Sequence, residues 1–133
     1  MADAAAWRAD GALPTYSQAL AAARDVGAAI PDDAPRLEVI VGGNCNTDFM
    51  LDAMRVAGWV ANGMDVVARA ADFGAAVQTA LSNDPPGDAW VLWFSSMGCS
   101  RGGTARHDLD VAAIAAATSR LLARGKTVVL VPP

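Results

Sequence analysis

At 133 residues the chain can form one domain with one real core. Ten basic against fourteen acidic residues give a net charge of -4, and one lysine (Lys126) with scattered arginines makes no basic cluster to hold nucleic acid or an anionic membrane. Apolar residues reach 53%, much of it alanine, but no apolar run approaches the ~20 residues that span a bilayer.

The start, Met1-Ala2-Asp3-Ala4-Ala5-Ala6-Trp7-Arg8, lacks the basic and apolar blocks of a signal peptide, so a soluble cytoplasmic protein is expected. Residues 1–13 are alanine-rich without a period. Pro14-Thr15-Tyr16-Ser17-Gln18 reads as a helix start, with Thr15 as cap and Gln18 three residues on to complete a capping box. That helix is expected to run to about Gly27. Ile30-Pro31-Asp32-Asp33-Ala34-Pro35 is a linker, since two prolines and an Asp pair break helix and sheet alike. Residues 1–36 are therefore expected to be an N-terminal helix with a proline-rich linker, and residues 37–133 the main domain.

A strand is predicted over 37–41, followed by a tight turn at Gly42-Gly43 and then small polar residues that open a helix near Thr47 or Asp48. Phe49, Met50, Ala53, Met54 and Ala57 fall at helical spacing, and Asn62-Gly63 ends the helix. The second strand is placed at 65–70. Asp72 is expected to cap a short helix carrying Phe73, Ala76, Val77, Ala80 and Leu81. The third strand, 89–94, is apolar throughout, so both of its faces should be covered. A loop over 95–107 leads to a helix capped by Asp108 and stopped by Gly125, and a fourth strand covers 127–131.

Strands alternating with helices imply a parallel sheet with helices on both faces. The expected fold is a three-layer, doubly wound α/β domain of strand order 2-1-3-4 with an extra N-terminal helix. Ligands of such sheets bind outside the carboxyl ends of the strands, where strands one and three are neighbours. No helix follows the fourth strand, so the chain reads as the N-terminal piece of a longer protein, with one sheet edge exposed for pairing or oligomerisation.

The switch point is where chemistry is to be sought. Cys45 and Cys99 follow strands one and three. Cys45 is either half of a small, buried, reduced thiol pair or a nucleophile whose thiol gains from the positive end of the first sheet helix. Gly43, Asn44, Asn46 and Thr47 from the first turn, with Ser95, Ser96 and Arg101 from the long loop, are the candidate substrate-binding residues. Arg101 and Arg106 suit a carboxylate or phosphate. Gly98-Cys99-Ser100-Arg101-Gly102-Gly103-Thr104 is not a nucleotide loop, because it lacks the lysine before the hydroxyl residue and follows the wrong strand. Asp108-Leu109-Asp110 follows no apolar strand, so helix capping explains it better than a phosphatase or metal motif. Cys45, Cys99 and His107 are three of the four ligands a structural zinc site needs, and neither metal nor cofactor is expected.

Gly43-Asn44-Cys45-Asn46-Thr47-Asp48, then Ala71-Asp72-Phe73-Gly74-Ala75-Ala76-Val77-Gln78, then Trp90-Val91-Leu92-Trp93-Phe94 resemble the SGNH-hydrolase-like N-terminal region of FkbH-like proteins. Those proteins carry a haloacid-dehalogenase-type domain downstream and load glyceryl units from a phosphorylated glycerate onto acyl carrier protein. The resemblance places Cys45 at the nucleophile position of a Gly-Asp-Ser block, with Asn44 in place of its acid. It also implies acyl carrier protein, other domains of the parent protein and a small acyl substrate as partners. The block after strand three and the late base of SGNH enzymes have no counterpart here. A nucleophile without its base is a poor catalyst. The expectation is therefore a non-catalytic or weakly catalytic module of a polyketide-type biosynthetic protein. The alternatives are a Cys45-dependent acyl transferase or hydrolase, and a small-ligand-binding or assembly domain.

Overall fold

Val39, Ile40 and Val41 are three consecutive β-branched residues, and they sit at the centre of strand β1, Arg36–Gly43. In the computed structural model, which describes residues 15–43, 47–71, 75–93 and 104–131, β1 is followed by β2 (Asp65–Ala70), β3 (Ala89–Trp93) and β4 (Thr127–Val131). The sheet is parallel, in the order β2-β1-β3-β4. Helices flank it: α1 (Tyr16–Ala29), α2 (Asp48–Asn62), α3 (Ala76–Ala80) and α4 (Thr104–Ala123). This is the doubly wound, Rossmann-like α/β arrangement expected from the sequence, with the extra N-terminal helix in place.

The chain divides into two compact units, one containing Asp48–Ala68 with the stretch up to Glu38, the other Val39–Thr47 with the stretch from Arg69 onward. In the first unit, α1 places Ala19, Ala22, Val26 and Ile30 on one stripe against Val56 and Val60 of α2. The capping box forms as predicted: the Thr15 N–H donates to Gln18 Oε1 at 2.9 Å, and the Gln18 N–H donates to Thr15 Oγ1 at 3.3 Å. The helix continues past Gly27 and ends at Ile30, which takes extended geometry (φ -74, ψ 121) ahead of Pro31. Glycine is tolerated inside α1 because a Cβ there would lie 2.9 Å from the Arg55 guanidinium of α2. Arg55 in turn donates from Nε to Asp65 Oδ1 at 3.1 Å, tying α2 to the start of β2.

In the second unit the core is built from Ile40, Trp90 and Leu92 on one face of the sheet, Ala80 of α3, and Ala117 and Leu121 of α4. Trp90 is fully buried, and its indole N–H donates to the Pro86 carbonyl at 2.9 Å, so its single polar atom is satisfied. The alternate residues Val91 and Trp93 are only partly buried. The apolar run of β3 therefore reflects full cover on one face and part cover on the other. Gly125, at φ 75, stops α4 as expected: its N–H donates to the Leu122 carbonyl and that of Lys126 to Leu121, both at 3.0 Å.

Three local expectations are corrected. The pair Gly42-Gly43 is not a turn; both residues belong to β1, and neither has positive φ. α4 begins at Thr104, so Asp108 lies within the helix rather than capping it; Ala105 and Arg106 are good helix formers and extend it toward the N-terminus. The short helix α3 has Ala75 at its N-cap with no side-chain cap bond, while Asp72 lies outside the described residues.

Candidate functional site

β1 and β3 pair in parallel with Val39 opposite Ala89 and, at their carboxyl ends, Gly43 opposite Trp93. The chain therefore leaves the sheet at two neighbouring points, which is the switch-point geometry that favours a ligand crevice. Of the candidate residues, Gly43 is buried as the last residue of β1, and Thr47, 4% exposed, is buried immediately before α2. Cys45, Asn44, Asn46, Ser95, Ser96 and Arg101 lie outside the described residues, as does Cys99.

Why two glycines end β1 is visible in their surroundings. A Cβ on Gly42 would stand 2.6 Å from the Ala76 Cβ, at the first residue of α3, and 3.5 Å from that of Ala71. A Cβ on Gly43 would run into the carbonyl of Trp93 on the neighbouring strand. Close approach of helix and strand accounts for the pair. The backbone around it is held from the other side as well, by the Ala71 N–H donating to the Val41 carbonyl at 2.8 Å.

Where β2 ends under α3 there is a cavity of about 200 Å³, lined by Ile40, Arg69, Ala70, Ala71, Thr79 and Pro86. Its lining is mixed, four apolar side chains with the Arg69 guanidinium, the Thr79 hydroxyl and backbone polar atoms. The Thr79 hydroxyl donates to the Ala75 carbonyl at 2.9 Å, which leaves its oxygen able to accept. The six lining residues include no carboxylate, imidazole or thiol. Neither Arg69 nor Thr79 was among the residues singled out from the sequence. Arg69 near the carboxyl end of a parallel strand was the signal that could have found this place. Among the described residues no group of three His, Cys, Asp or Glu is placed to hold a metal ion. None of the described helices is long and apolar enough to cross a membrane.

No family model matches the sequence, and no curated protein sequence matches it. A solved structure does match in three dimensions: the N-terminal part of the protein BF1531 from Bacteroides fragilis, containing a phosphatase domain and complexed with Mg. The two superpose with a TM-score of 0.64 at 15% identity, over 89% of this chain and 33% of that one. The likeness is one of fold. The chain spans about a third of the length of the BF1531 structure. The α/β architecture derived above is thus found within a longer, phosphatase-containing protein.

Proposed function

We propose that the chain is the Rossmann-like, SGNH-related module of an FkbH-like biosynthetic protein. In this reading residues 37–133 form the module, and residues 1–36 are its N-terminal helix and linker. It works in the cytoplasm, binds acyl carrier protein or a glyceryl or acyl substrate, and leaves phosphoryl and acyl chemistry to other regions of the parent protein. The observation that carries this reading is the fold match to the N-terminal part of BF1531, a protein whose matched structure contains a phosphatase domain. Asn44 in place of an acid favours binding over catalysis in this reading.

Titration of acyl carrier protein, unloaded and glyceryl-loaded, against the isolated chain tests the reading. A complex in the micromolar range is expected; no complex at high micromolar concentration sinks it. The enzymatic alternative is tested by incubation with an activated acyl thioester and intact-mass measurement. An adduct that disappears in Cys45→Ser would replace the binding reading with an acyl transferase or hydrolase.

A further inference from the structure

We draw no further inference here: the strongest candidate, the apolar surface patch at the β4 edge of the sheet, where Val129 and Leu130 are exposed beside Val111 and Leu122 of α4, carries none because nothing in the structure shows what covers it.

Discussion

Gly42 and Gly43 show how a residue can be chosen by what stands next to it. In an extended strand, alanine is ordinarily preferred to glycine by roughly 0.5–1 kcal/mol. At Gly42 that gain is outweighed, because the new methyl would sit 2.6 Å from the Ala76 Cβ, and overpacking of this kind costs about 1–3 kcal/mol. Gly42→Ala is expected to lower the urea midpoint accordingly. Gly43→Ala should cost more, because its methyl meets the main-chain carbonyl of Trp93, which cannot swing aside as a side chain would. Equal stability of the two variants, or a gain in either, would contradict the packing account. Trp90 offers a second check. Trp90→Phe removes the donor to the Pro86 carbonyl and leaves a void where the larger ring system stood, so a loss of about 1–3 kcal/mol is expected in the same measurement.

At the scale of elements, helix ends obey local chemistry closely enough to be read in advance. The Thr15–Gln18 capping box lies on the exposed start of α1, where tertiary packing does not interfere. Thr15→Ala should cost about 1 kcal/mol and speed amide exchange in the first turn of α1 several-fold; unchanged exchange at Gln18 would rule out a stabilising cap. The stop at Gly125 was legible for the same reason, as were the bounds of β2, whose valines stand between Gly63 and Ala71. What was not legible depended on neighbours far along the chain. Gly42-Gly43 reads as a turn because a sequence carries no trace of Ala76 packing over it. Asp108-Leu109-Asp110 reads as a cap because the helix-forming residues before it are few. Of the candidate site, the sequence located the sheet end where β1 and β3 meet. It passed over Arg69 and Thr79, which become neighbours of one cavity only through the fold.

For the molecule as a whole, the buried apolar residues among those described form two clusters. The set in the second unit depends on few large side chains, chiefly Trp90, Leu92 and Leu121. Leu121→Ala is expected to cost about 3–5 kcal/mol, a large part of the 5–15 kcal/mol a domain commonly has. A cooperative urea transition shifted to much lower midpoint is the expected outcome; a shift worth under about 1 kcal/mol would mean that the site collapses around the loss.

The register of the sheet also sets a timetable. Val39 pairs with Ala89, fifty residues on, and Ala89 pairs with Thr127. No strand of this sheet can be completed by a neighbouring hairpin, so closure of long loops precedes every pairing and folding should fall toward the slow end for its size. During synthesis at about 5–20 residues per second, β1 waits roughly 3–10 s for its central partner to be made. β2, the partner on the other side, is made within that interval, so what stays open longest is the β3-facing edge of Val39-Ile40-Val41.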